Sequence, residues 1–356
     1  MQLNLNPSVW EEGEEAAAEG GDGEKVQEAP VGGGDDVETS GSTKKATGSK
    51  GGEQQQGKTL SIYGLKQAPR YWYLKLAAVL EEMGFRTSSC DESLFLKGER
   101  EKLVLFLVYV DDILLFCSSM KEIQKVQQQL MKNFKCKTLG EVKYYLRMHV
   151  ERDLDHRWLK LHQEKFIKEL GEKYGIENER KVATHLPAEF KLVKAAEDEG
   201  VEAEEQQQFQ SLVGSLLYAA VHTRPDISFS VGPLARVVQN PSEEQVDAAE
   251  RVVMQKGVEV LKEKGERLGE GKLFLTCFTD AMWTSEKDDS PSVGGYICVV
   301  GGGPISWRSK KQAETVLSSV ESEYMAMFHG EKEVIWLRRL LEEIGQEAEA
   351  CYVAVL

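Results

Sequence analysis

The 356 residues carry a net charge of −15, with 41% hydrophobic and 29% charged side chains, enough apolar material for two or three cores. The six cysteines (Cys90, Cys117, Cys136, Cys277, Cys298 and Cys351) are scattered and form no C-x-x-C pair. That excludes a disulfide scaffold and a structural zinc site, and it suits a reducing cytoplasmic or nuclear setting rather than secretion. The longest apolar stretch, residues 103–117, is split by Asp111-Asp112, so no membrane span or membrane partner is expected.

Charge is unevenly spread. Residues 1–57 sum to −8, residues 58–150 to +5 and residues 151–356 to −12. A basic middle segment suits a phosphate backbone, and it suits an ordinary mixed surface equally well. Residues 1–57 are rich in Gly, Glu, Ser and Gln, lack a signal-peptide pattern and read as a disordered acidic tail.

Helical spacing of Trp72, Leu76, Val79, Leu80 and Met83, stopped by Gly84, predicts a helix over 71–85. Apolar runs at 103–110 and 113–117 have strand length. Ile123, Val126, Leu130 and Phe134 predict a helix over 121–134. Two further strands are expected within 143–161, then a helix over 163–174. The acidic stretch 195–208 reads as a loop and hinge. Pro225 followed by Asp226 opens a helix over 226–239, and Ser242 with Gln245 forms a capping-box pattern for a helix over 243–264. The period then changes. Strands are expected at 273–279, 293–300 and 305–307. Ser318 with Glu321 caps a helix running through Gly330, and 351–356 is a candidate fourth strand. The whole is an α+β pattern.

Tyr109-Val110-Asp111-Asp112 joins the first two apolar runs. Two adjacent carboxylates repel, and a hard cation such as Mg²⁺ relieves that repulsion. An exposed Asp-rich turn is the plainer reading of the tetrapeptide alone. Its surroundings reverse the preference. Tyr63-Gly64-Leu65-Lys66-Gln67-Ala68-Pro69-Arg70-Tyr71-Trp72 stands upstream, and Leu139-Gly140-Glu141-Val142-Lys143-Tyr144-Tyr145-Leu146 downstream. Later come Ser211-Leu212-Val213-Gly214-Ser215-Leu216-Leu217-Tyr218 and Thr223-Arg224-Pro225-Asp226. In this order the motifs resemble the reverse transcriptase and ribonuclease H segment of copia-type LTR retrotransposon Pol polyproteins, over nearly all of 58–350.

The resemblance implies a partial palm and thumb over 58–185, a helical connection over 186–270 and a truncated ribonuclease H-like mixed sheet over 271–356. It implies that Asp111 and Asp112 hold catalytic Mg²⁺ or Mn²⁺, and that Gly64, Lys66 and Gln67 line the nucleotide pocket. Asp280 and Glu323 match metal ligands of the ribonuclease H domain. The implied partners are an RNA template, a DNA primer, an RNA–DNA hybrid and deoxynucleotides. Departures matter as well. The family's polymerase has a further aspartate on an upstream strand, yet Asp22, Asp35 and Asp36 all lie in the tail, so part of the palm is expected to be missing. Ala354 stands where the ribonuclease H strand would carry an aspartate. The expectation is therefore a catalytically impaired polymerase and ribonuclease H fragment. The alternatives are a non-catalytic nucleic-acid-binding remnant or an inert relic. Asp280 and Glu323 are expected close together, with a short or frayed last strand.

Overall fold

A computed structural model describes residues 1–5, 68–156, 158–176, 186, 200–254, 273–282, 292–312, 316–346 and 348–355. Gly64, Lys66 and Gln67 lie outside the described residues, as do residues 6–57 of the expected tail.

The first unit is a six-stranded antiparallel sheet in the order β2-β3-β4-β5-β1-β6. Its strands are β1 (Gln2–Leu5), β2 (Arg86–Thr87), β3 (Leu94–Lys97), β4 (Val104–Tyr109), β5 (Asp112–Phe116) and β6 (Cys136–Gly140). Helices α1 (Ala68–Glu82) and α2 (Met120–Asn133) cover one face. Leu3, Phe95, Phe106, Ile113 and Leu115 from the sheet meet Leu76 and Leu80 of α1 and Ile123, Val126 and Leu130 of α2. The alternation in each strand turns these residues to a single face, and their burial from water drives the layer together.

Strand β1 corrects the expectation that residues 1–57 are disordered throughout. Gln2, Leu3 and Asn4 pair with Leu114, Ile113 and Asp112 on one side, and residues 2–5 pair with β6 on the other. Leu3 is fully buried and Leu5 nearly so. Five residues beside a Gly-rich stretch show too little period to announce a strand, and the pairing that makes them one lies more than a hundred residues away.

A three-stranded meander follows: β7 (Tyr144–Tyr145), β8 (Met148–Asp153) and β9 (Trp158–His162). A helical unit then packs α3 (Glu164–Lys173), α4 (Ala203–His222), α5 (Ser228–Leu234) and α6 (Glu243–Met254) around Phe166, Phe209, Leu216, Ile227, Val231 and Val252. Helix α4 starts inside the stretch read as an acidic hinge, because Glu and Gln are good helix formers once their apolar neighbours are buried. The helix expected over 226–239 is instead a 3₁₀ turn at Pro225–Ile227 followed by the short α5. Pro233 has no N–H to continue a hydrogen-bond ladder. Ser242 and Gln245 cap as their spacing predicts, with the Ser242 N–H donating to Gln245 Oε1 at 3.1 Å.

The last unit is a four-stranded sheet ordered β12-β11-β10-β13, formed by β10 (Leu273–Met282), β11 (Val293–Val300), β12 (Gly303–Lys311) and β13 (Ala348–Val355). Helix α7 (Ser319–Glu343) covers one face. The Glu321 N–H donates to Ser318 Oγ at 3.1 Å, and the Glu321 carboxylate accepts from the Leu317 N–H at 2.8 Å. The last strand is neither short nor frayed, since β13 pairs in parallel with β10 over residues 348–355. Among the described residues no helix is long and apolar enough to cross a membrane.

Helix α7 is clasped to the first sheet. Glu343 accepts from Arg86 at 2.5 Å, from the Ser88 hydroxyl at 2.6 Å and from the Ser89 N–H at 3.1 Å. Trp336 Nε1 donates to the Cys90 carbonyl at 3.0 Å. Burial opposes ionisation of Glu343, but the hydrogen bonds from Ser88, Arg86 and Ser89 prevail and hold its carboxyl down to about 2. A carboxyl lowered in the folded state adds stability above its unfolded value, and that stability is lost as pH falls toward the folded one. Urea unfolding should therefore show stability declining between pH 4.5 and about 2. In Glu343→Gln that decline should be shallower; an unchanged slope would rule out the clasp as its source.

Candidate active site

Asp111 and Asp112 sit at the tip of the β4–β5 hairpin. Tyr109 pairs with Asp112, leaving Val110-Asp111 as a two-residue turn. Such turns demand positive φ and usually employ Gly or Asn. Here Val110 adopts φ +53°, which for a β-branched side chain is a strained backbone. Two hydrogen bonds hold it there. Trp72 Nε1 of α1 donates to the Val110 carbonyl at 3.2 Å, and the Leu5 N–H of β1 donates to the Asp111 carbonyl at 2.8 Å. The turn is thus fixed by one helix and by the inserted strand.

Neither aspartate is fully exposed. Burial raises the Asp111 carboxyl above its ordinary value of 3.8, and the neighbouring Asp112 raises it further. Asp112 has a neutral companion. Asn4, its cross-strand partner, donates from Nδ2 to Asp112 Oδ1 at 3.0 Å. Strand β1 carries no aspartate, and what it sets against Asp112 is an amide. Among the described residues no group of three or more His, Cys, Asp or Glu is placed to hold a metal. Mg²⁺ needs no more than one or two carboxylates from the protein, so an ion held by Asp111 and Asp112 would take its remaining ligands from water and substrate phosphates.

Other residues frame the hairpin without having been singled out as site residues. Tyr145 is 8% exposed, and its buried hydroxyl has no hydrogen-bond partner among the described residues. Burial pushes its phenol up to about 12, with smaller contributions from Asp112 and Tyr109. The β7–β8 turn that follows is also strained, with φ +46° at Leu146 and +58° at Arg147. Tyr218 of α4 holds it by donating to the Leu146 carbonyl at 2.6 Å. Trp72, which reads from its spacing as core, is half-buried and also reaches the turn.

Asp280 and Glu323 belong to the last sheet. Asp280 pairs with Gly295 and is exposed. Cys277 and Thr279 face α7, where an added Cβ on Gly330 would meet both. Alternation therefore turns Asp280 to the opposite face. There a cavity of about 380 Å³ opens against α5, lined among others by Phe229, Asp280, Trp307 and Arg308. Glu323 hangs from the first turns of α7, with one carboxylate oxygen buried and without a hydrogen-bond partner among the described residues. The two side chains thus leave from opposite faces of the sheet.

Residues 40–188 match the family model described as reverse transcriptase (RNA-dependent DNA polymerase). The chain is 36% identical over 293 residues to the retrovirus-related Pol polyprotein from transposon TNT 1-94 of Nicotiana tabacum, covering 80% of this chain and 22% of that polyprotein. It is 35% identical over 286 residues to the corresponding polyprotein from transposon RE1 of Arabidopsis thaliana, covering 80% and 19%. The putative transposon Ty5-1 protein of Saccharomyces cerevisiae is 29% identical over 265 residues, covering 74% and 84%. The chain spans about a fifth of the length of the two plant polyproteins. Over residues 40–188 the chain is reverse transcriptase-like, and over most of its length it is similar to a region of copia-type retrotransposon Pol polyproteins. Strand β1 lies upstream of the matched span.

Two measurements probe the hairpin. Val110 is 62% exposed, so Val110→Gly relieves backbone strain at little loss of packing. It should raise the unfolding free energy by about 1 kcal/mol; a loss of stability would show that the turn is unstrained. Asp111 binds its proton more tightly folded than unfolded. Its stabilising contribution is therefore present at low pH and is lost as pH rises through the raised value. Asp111→Asn should accordingly be at least as stable as the native chain at pH 7, and a clearly less stable variant would contradict the repulsion described.

Proposed function

We propose that this chain carries the palm of an RNA-directed DNA polymerase whose nucleotidyl transfer is impaired at one side chain, Asn4. The observation that supports this is the hydrogen bond from the Asn4 amide to Asp112. Template-directed transfer of a deoxynucleotide to a primer 3′-hydroxyl requires charge stabilisation at the reacting phosphate. In this family a divalent ion, Mg²⁺ or Mn²⁺, supplies it when bound. Asp111 and Asp112 are the groups that would face that ion. Here one oxygen of Asp112 accepts from the neutral Asn4 amide, which adds no charge to the pair of aspartates. A third carboxylate at position 4 would restore the excess negative charge that a hard cation seeks. Lys66, Gln67 and Gly64 are proposed as the nucleotide-side residues on their resemblance alone.

The C-terminal sheet with α7 is read as a ribonuclease H-like unit acting on RNA–DNA hybrids. It is proposed to be impaired as well, because Ala354 brings no carboxylate to β13 and Asp280 and Glu323 start from opposite faces. A second reading is nucleic-acid binding without catalysis, favoured by the +5 net charge of residues 58–150. Affinity that falls steeply with salt would support it.

The test is Asn4→Asp. Without metal, three clustered carboxylates should lower the melting temperature, and Mn²⁺ should restore it. Mn²⁺ should bind the variant roughly tenfold more tightly than the native chain, and Asp112→Asn should abolish that gain. The native chain should not extend a DNA primer on an RNA template above background, since a lost charge-stabilising group costs about 10²- to 10³-fold in rate. Primer extension by the native chain that disappears in Asp111→Asn would overturn the impairment.

A further inference from the structure

The cysteines are scattered along the sequence, but β10 and β11 bring two of them into register. Cys277 and Cys298 are directly opposed in the antiparallel pair. Both side chains are fully buried, and their sulfurs lie 2.9 Å apart. Opposed residues of antiparallel strands have Cα atoms about 4.5 to 5.5 Å apart. That falls inside the window of about 4.4 to 6.8 Å that a disulfide spans, so a bond needs only a small approach of the two sulfurs.

What lies above the pair completes the site. Helix α7 crosses it at Gly330, whose carbonyl is 3.9 Å from Cys277 Sγ. A Cβ built on Gly330 would stand 3.3 Å from that sulfur and 2.6 Å from a methyl of Thr279. Only a glycine lets the helix lie this close, and the close helix seals the thiols from water. Cys90, Cys117 and Cys136 are each partly exposed. The sealed pair is thus distinct in both burial and geometry.

We propose that Cys277 and Cys298 form a dithiol that a peroxide-class oxidant converts to a cross-strand disulfide, fastening the centre of the C-terminal sheet. The two thiols are not equivalent. The hydrogen bond from Cys298 lowers the Cys277 thiol despite burial, whereas that bond and burial together push the Cys298 thiol up. Cys277 is therefore the first nucleophile. Its thiolate attacks one oxygen of hydrogen peroxide, the O–O bond breaks and hydroxide leaves, giving the Cys277 sulfenic acid. Cys298 loses its proton and attacks the sulfenyl sulfur, expelling hydroxide as the S–S bond forms. In sum two thiols give up two electrons and two protons, and one peroxide becomes two waters. Local opening of α7 over Gly330 admits the oxidant. This proposal is independent of the polymerase reading.

The experiment uses the full chain with Cys90, Cys117, Cys136 and Cys351 replaced by serine. After exposure of the folded protein to hydrogen peroxide, non-reducing peptide mapping should join the peptides holding residues 277 and 298 within one monomer. Both thiols should become unreactive to alkylation, and dithiothreitol should restore them. The closed loop should raise the melting temperature by about 5 °C or more, a shift that dithiothreitol reverses. In Cys298→Ser, Cys277 should stop at the sulfenic acid and take a dimedone label. The labelling and mapping of the unmutated pair need no folding of that variant. Two alkylatable thiols after oxidation, cross-links between chains, or linkage only in urea would each overturn the proposal.

Discussion

One short strand holds the polymerase-like sheet together. Without β1, strands β2 to β5 would end in an open edge at β5, and β6 would have no neighbour. An unpaired row of N–H and C=O groups in the middle of a layer is costly. Met1 to Leu5 satisfy both sides at once, and Leu3 and Leu5 fill the core beneath α1 and α2. The same pairing bonds the Leu5 N–H to the Asp111 carbonyl and sets Asn4 against Asp112. Sheet integrity and site chemistry thus depend on the same few residues.

The hairpin that this strand supports carries both backbone strain and electrostatic strain. Val110 is held at positive φ by bonds from two elements, and Asp111 carries a charge that its surroundings disfavour. Strain at functional sites persists because the neighbouring structure over-determines it. Strain recurs at the adjacent turn, where Tyr218 reaches from α4 to hold Leu146. The helical unit is thereby tied to the same region. Trp307 makes a comparable tie by donating from Nε1 to the Ala220 carbonyl at 2.7 Å, joining the last sheet to α4. With the Glu343 clasp, each unit is fastened to the next by hydrogen bonds from side chains that sit far apart in the sequence.

Much of this was legible in the sequence, and the reasons are local. Helices α1, α2 and α3 follow apolar periods complete within one or two turns, and β4 and β5 are continuous apolar runs. The caps at Ser242 and Ser318 depend on partners three residues away. The paired aspartates and the motifs around them pointed to a reverse transcriptase because motif order is a property of the chain alone. Errors arose where local signals compete or vanish. A polar composition concealed the start of α4, and the spacing after Pro225 did not register that Pro233 cuts the helix short.

What the sequence determined by itself was the resemblance to reverse transcriptases, the α+β class and the position of Asp111-Asp112 between two strands. Only the tertiary structure decided that residues 2–5 complete the sheet, that Asn4 is the group opposing Asp112, and that Cys277 and Cys298 touch beneath Gly330. It also turned Asp280 away from the face on which α7 carries Glu323. The physical reason is common to all of these. Strand pairing and face are fixed by long-range register, and a few residues of β sequence carry no record of which partner will bond them or which side will be covered.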